Sequence, residues 1–385
     1  MAVGIGALLA VPSALPASAA QAGPAIPDTV RHLQGGTPLF DVGTHSNVTQ
    51  PDAENAAVSA TSVAQFRSTV TVGTKVYPYT MAGKNPAAPA VNASTTIRSP
   101  LVPVALNIGG HSFDPTVADS CDPGASALAR TQQSPIYNAQ PVTMNGTSIG
   151  TNQITDAFQR ANFWHYAKPG GPNPTYNVNL ARLTLPKLTI NVPNIVAGLG
   201  QTPCGSGLLG GVDINWLDNY LQTVAIPALA PLGVNSSTFP IFLVHNVVET
   251  VNGGCCVLGY HNAYKATALS PIQTYSLSIY DNTRDFAGSS DISALTHEVG
   301  EWMDDPNVNN PTPSWGHIGQ VPGCQANLEV GDPLSGHTFS DPLGGFTYHP
   351  QELAFFSWFY HQSVSLGAGR LYSDRGTFRT FAAAC

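Results

Sequence analysis

The sequence predicts an α+β protein, on three observations. Strand-like runs, some of them alternating apolar and polar residues, are interspersed with two stretches that carry apolar residues at helical spacing, and only 10% of the 385 residues are charged while 37 are Gly and 32 are Pro. Alternation marks half-buried strands, 3.6-residue spacing marks amphipathic helices, and Gly and Pro set the turns between them. With 43% hydrophobic residues the chain has ample material for a core. The net charge of −8 is mild for this length and no Lys/Arg cluster occurs, which argues against nucleic acid or an anionic membrane as a partner.

In chain order, residues 1–19 read as a secretory signal: an apolar stretch over 3–11 precedes the small-residue pattern Ala17, Ser18, Ala19, which suits cleavage after Ala19. No later run approaches the ~20 apolar residues that span a bilayer, so no membrane partner is expected after signal removal. Residues 20–94 form a strand-rich N-terminal region, with "STVTVGTKVYPY" as a strand pair and the Ala/Pro/Asn-rich residues 82–94 as a linker. Residues 95–385 form the main domain. Within it "LVPVALNI", "ARLTLPKLTINVP" and "FPIFLVHNVV" are strands, and "DINWLDNYLQTVAIPAL" is a helix capped by Asp213 with Ile214, Leu217, Leu221 and Val224 on one stripe. "TYSLSIYD" alternates Tyr275, Leu277 and Ile279 with Thr274, Ser276 and Ser278, the pattern of a strand with one exposed face. Six cysteines in an exported chain imply up to three disulfides, with adjacent Cys255 and Cys256 expected to reach different partners, because a bridge between neighbours strains the peptide between them.

The stretch "SSDISALTHEVGEWMDDP" predicts a helix that begins after Ser290 or Asp291 and stops at Asp304 or Asp305, because Pro306 forces its predecessor out of helical geometry. Ile292, Leu295, Val299, Trp302 and Met303 share one wide stripe, which places His297 and Glu301 on the other side, one turn apart. In the H-E-x-x-H zinc pattern two ligands at this spacing hold one ion, and the Glu beside the first polarises water; here a carboxylate, Glu301, takes the second place. The alternative is an ordinary solvated acidic face. Against it stand the concentration of five ionisable groups in nine residues of a charge-poor chain, and Gly300 in the helix interior, which costs ~1 kcal/mol unless something approaches closely. Glu329 and Asp332 in "CQANLEVGDPLSG", and His317 in "SWGHIG", are the candidates for a third ligand.

The pattern H-E-x-x-E-x-x-x-D-P, formed by His297, Glu298, Glu301, Asp305 and Pro306, precedes an acid-hydrophobic-Gly-Asp segment, Glu329 to Asp332. Together with the Gly-Tyr-His stretch ending at His261, this resembles a broad group of secreted proteins. The group includes the plant Exordium or phosphate-induced proteins and uncharacterised bacterial and fungal exported proteins. The likeness covers roughly residues 240 to 350. Here Asp304 precedes Asp305 and Pro333 follows Asp332, where those relatives have a small residue and a cysteine. The resemblance implies a zincin-like metallohydrolase domain, a mixed sheet with an active-site helix and an exposed strand along a cleft.

The expected function is that of a secreted, zinc-dependent metallopeptidase or related amide hydrolase. His297, Glu301 and Glu329 hold the metal, Glu298 is the catalytic base, Asp305 and Asp332 support the ligands, and a peptide or protein substrate adds as a strand near Ser276 and Ser278. His261, Tyr348 and His349 are candidates for oxyanion stabilisation. The competing expectation is a non-catalytic extracellular protein that uses the oxygen-rich acid cluster for Ca²⁺.

Overall fold

The computed structural model describes residues 26–33, 62–88, 92–204 and 207–385; the expected signal, residues 1–19, lies outside them. Two larger sheets dominate. One has seven strands, built on the long strand Ser94–Ile108, with the order Gly259–Tyr264, Gln273–Tyr280, Ile241–His245, Ser94–Ile108 and His111–Phe113, and with Asn177–Thr184 and Leu188–Asn191 also paired to the long strand. The other has five, in the order Arg31–His32, Ala197–Gln201, Leu208–Asp213, Val247–Val251 and Gly254–Val257.

Alternation along the strands assigns the layers. On Ile241–His245, Phe242 and Val244 point into an apolar core shared with Leu199, Val212 and Val247 of the five-stranded sheet. Ile241 and Leu243 point the other way, into a second core with Leu295, Val299 and Trp302 of the helix Ser293–Asp304 and the aromatic C-terminal segment. Both faces of the seven-stranded sheet are therefore covered, as a sheet rich in parallel pairs requires.

The expected α+β, zincin-like class is corrected by this architecture: among the described residues 39% are in strands and 20% in helices, so the described structure is mostly β. The strand expected to lie exposed along a cleft is interior. Gln273–Tyr280 pairs with Gly259–Tyr264 on one side and Ile241–His245 on the other, and all eight of its residues are buried. Its Ser/Thr face, read as solvent-facing, lies under the helix Ser293–Asp304: Trp302 Nε1 donates to Thr274 Oγ1 at 3.1 Å, and the hydroxyls of Ser276 and Ser278 bond each other at 3.1 Å. Short side chains that satisfy their own polarity let a helix pack closely there. With both edges paired, no peptide can add to this strand, and that expectation falls with the exposed face.

Other elements follow the sequence closely. Residues 68–79 lie in a two-stranded hairpin, Gln65–Val72 with Lys75–Ala82, turned at Gly73, whose φ is +60°. The hairpin packs in the same core as the C-terminal aromatics through Tyr77, Tyr79 and Tyr360. Asp213 caps its helix by accepting from Trp216 N at 3.0 Å. A π turn over Leu221–Ala225 then shifts the stripe by one residue, so Ala225 is buried and Val224 exposed. Three disulfides are present: Cys121–Cys204, Cys324–Cys385 and Cys255–Cys256. The last corrects the expectation of separate partners. The other four cysteines pair among themselves, and the neighbours close on each other with Cα atoms 3.1 Å apart. No helix among the described residues is long and apolar enough to cross a membrane.

Candidate metal centre

The helix Ser293–Asp304 is buried on every side rather than on one stripe, and its terminus before Pro306 is as expected. The solvated-face alternative is therefore excluded. His297, Glu298, Glu301, Asp304, Asp305, Glu329, Asp332 and His261 are each no more than 1% exposed. Six carboxylates thus share a buried region with two imidazoles. Among the described residues their ion pairs run to those imidazoles and not to Lys or Arg.

His297 is held from three directions. Its Nδ1 lies 3.1 Å from Gln351 Oε1, and the Gln351 amide is oriented by its own Nε2, which donates to the Gly331 carbonyl at 2.8 Å. That leaves Nε2 facing inward, 3.0 Å from Glu301 Oε1 and 3.5 Å from Asp332 Oδ1. Gly331 makes room for the ring, since a methyl group there would overlap His297 at Nδ1 and Cε1. Its N–H donates to Glu301 Oε1 at 3.0 Å.

His261 comes from the edge strand Gly259–Tyr264. Its Nε2 meets the Asp305 carbonyl oxygen at 3.2 Å, and its Nδ1 faces Glu298 Oε2 at 3.3 Å and Glu301 Oε2 at 3.6 Å. Two sets of donor atoms result, each within 4.8 Å of one another: His297, Glu301 and Asp332, and His261, Glu298 and Glu301. Either could hold a metal ion. A third set, His317 with Cys324 and Cys385, is exposed and its sulfurs are joined in a disulfide, so they are not thiolate ligands.

The remaining acids have distinct surroundings. Glu329 accepts from Asn327 Nδ2 at 2.9 Å through Oε1, while its buried Oε2 has no hydrogen-bond partner among the described residues. Asp305 closes the turn after the helix by accepting from the backbone N–H groups of Asn309 and Asn310 at 3.0 and 2.8 Å, and so orients His261 rather than His297. Asp304 accepts from Gln159 Nε2 at 2.9 Å and Asn162 Nδ2 at 3.2 Å, both on the helix Ile154–Asn162. Tyr348 and His349 are away from the cluster: the Tyr348 hydroxyl donates to the Arg130 carbonyl and His349 pairs with Asp291.

Burial without cationic side chains shows in the acidities. It pushes Asp304 up to about 8, and Glu298 and Asp305 each to about 7. Glu329 is raised well above its ordinary value by burial and by repulsion from Glu301 and Asp332. Burial opposes charge on His297, yet Glu301 and Asp332 beside it outweigh this and hold the imidazole well above its ordinary value. Such a cluster has a strong demand for positive charge.

Sequence reasoning found both halves of the His297–Glu301 pair and missed Gln351, which lies in no motif, and the role of His261. Gly300 was read as a sign of close approach at the site, whereas it is Leu353 that fills the space its Cβ would need. Gly300→Ala is therefore expected to destabilise the fold by about 1–3 kcal/mol in urea denaturation while leaving the metal content of folded protein unchanged. No protein-family model matches the chain, and no curated protein or solved structure matches it.

Proposed function

We propose that the protein is exported and is a metal-dependent hydrolase of peptide or related amide bonds, with zinc at His297 Nε2, Glu301 and Asp332. The observation that carries the reading is the convergence of these three buried donors around an imidazole whose other nitrogen is committed to Gln351. Mixed nitrogen and oxygen donors suit zinc, and an outer partner that fixes the histidine is a regular companion of such sites. Export is supported by the small-residue pattern ending at Ala19 and by the disulfides. The likeness of the H-E-x-x-E-x-x-x-D-P pattern to the phosphate-induced exported proteins points the same way.

A divalent cation in this place supplies Lewis acidity and makes a coordinated water acidic near pH 7. Glu298 sits beside it with Oε1 buried and without a hydrogen-bond partner among the described residues, so it accepts the proton of the attacking water and passes it to the leaving amine. Asp332 and Glu329 compete for the third position. Asp332 belongs to the three-donor set and Glu329 does not, so Asp332→Ala is expected to weaken zinc retention more than Glu329→Ala, by about 10-fold or more, in a competition titration with a chelator. The reverse order would return the position to Glu329.

The second reading is a non-catalytic protein that uses the centre for Ca²⁺. The burial of every donor and the excess of carboxylates favour it. The deciding experiment is hydrolysis of a mixed peptide library by the purified full chain. The hydrolase reading predicts cleavage that stops on treatment with 1,10-phenanthroline and returns with zinc. Bound metal without cleavage of any peptide would favour the second reading, and absence of bound metal would contradict both.

A further inference from the structure

We infer that the centre holds two divalent cations, with Glu301 bridging them through its two oxygens. This rests on the metal-site reading above and extends it to a second ion, held by His261 Nδ1, Glu298 Oε2 and Glu301 Oε2.

Each of the two imidazoles turns one nitrogen outward and the other toward Glu301. The outer nitrogen of each faces an atom that can only accept: Gln351 Oε1 for His297 Nδ1, at 3.1 Å, and the Asp305 carbonyl for His261 Nε2, at 3.2 Å. Both outer nitrogens therefore carry a proton. When neutral, each ring then presents a lone pair inward, toward carboxylates that also only accept. Lone pairs facing one another need a positive charge between them, a ring proton or a metal ion in its place, and the arrangement occurs twice, once at each oxygen of Glu301.

His261 Nδ1 lies 3.3 Å from Glu298 Oε2 and 3.6 Å from Glu301 Oε2, and His297 Nε2 lies 3.0 Å from Glu301 Oε1 and 3.5 Å from Asp332 Oδ1. Several of these are long for hydrogen bonds. They bracket the edge of about 3.3 Å that a tetrahedral ion with bonds of about 2.0–2.1 Å imposes on its ligands. A carboxylate shared through both oxygens is suited to ions about 3.5–4 Å apart, the separation of two-metal hydrolytic sites.

Glu298, a donor of the second set, also has its other oxygen, Oε1, buried without a hydrogen-bond partner among the described residues, and Glu329 Oε2 is in the same state within the same buried cluster. Glu298 keeps its second oxygen, Oε1, for proton transfer, so the two roles are compatible.

The test is a count of ions. Metal-stripped full-length protein is titrated with zinc alone, freed of excess by gel filtration, and analysed for zinc per chain, with cobalt(II) loading as a second readout. The inference predicts two equivalents for the wild type, one for His261→Ala, one for His297→Ala, and loss of both with Glu301→Ala. Two cobalt ions sharing a carboxylate should couple magnetically, so the paramagnetic resonance signal per ion should be weaker in the wild type than in His261→Ala. One equivalent in the wild type, lost with His297→Ala and untouched by His261→Ala, would overturn the second site and leave the single-ion reading standing. No equivalent in the wild type would remove both. An equivalent that persists in both histidine variants belongs elsewhere and counts against the inference. Should a variant fail to fold, the wild-type count and its cobalt coupling decide.

Discussion

Glu298→Gln is expected to reduce peptide hydrolysis by a factor of about 10²–10⁴ while the ion at His297 stays bound. The carboxylate of Glu298 is fully buried, its Oε2 faces His261 and its Oε1 has no hydrogen-bond partner among the described residues. Glutamine keeps the size of the side chain but removes its ability to take a proton. Gly259 leaves room for the side chain, because a Cβ at that position would come within 3.1 Å of Glu298 Cγ. The check is a rate measurement on a cleaved peptide with zinc content determined on the same sample. Loss of the His297 ion together with activity would show that Glu298 is needed at that site as a ligand, and the proton-transfer assignment would fall.

Gly331→Ala is the second large effect. Gly331 has φ −89° and ψ −35°, which any residue adopts, so its identity reflects space and not backbone conformation. An added methyl group would overlap the His297 ring, and that ring is held by Gln351 on one side and faces Glu301 and Asp332 on the other. The backbone of Gly331 takes part as well, through its N–H to Glu301 and its carbonyl to Gln351. The variant is expected to lose zinc affinity by about 100-fold or more, at a stability cost of about 1–3 kcal/mol, read by chelator competition and urea unfolding. Unchanged affinity in a folded variant would mean that the His297 ring is free to shift without consequence.

Much of the local structure is legible in the chain. The Asp213 cap, the stop at Pro306, the hairpin at Gly73 and the apolar strand Ile241–His245 depend on short-range rules, and each is seen. The layer order is not legible. Thr274, Ser276 and Ser278 read as solvent-facing because they are polar, yet their small hydroxyls bond to Trp302 and to each other beneath a helix that follows them in sequence. The same limit applies at the site. The spacing of His297 and Glu301 shows that they share a helix face, but nothing local shows that Gln351, 54 residues on, fixes the ring, or that His261 approaches from another strand. Gly300 in the helix interior marks a close approach, as its position suggests, but Leu353 and not a ligand takes the space.

The central claim is that the buried acids and imidazoles around Glu301 are a metal centre. It is tested most directly by anomalous diffraction at the zinc edge from crystals of zinc-loaded protein. The account predicts a strong peak about 2.0–2.2 Å from His297 Nε2 and from a Glu301 oxygen, with the imidazole still held at Gln351. A cluster without a peak, its carboxylates protonated and bonded to one another, or zinc only at a surface site such as His317, would contradict it.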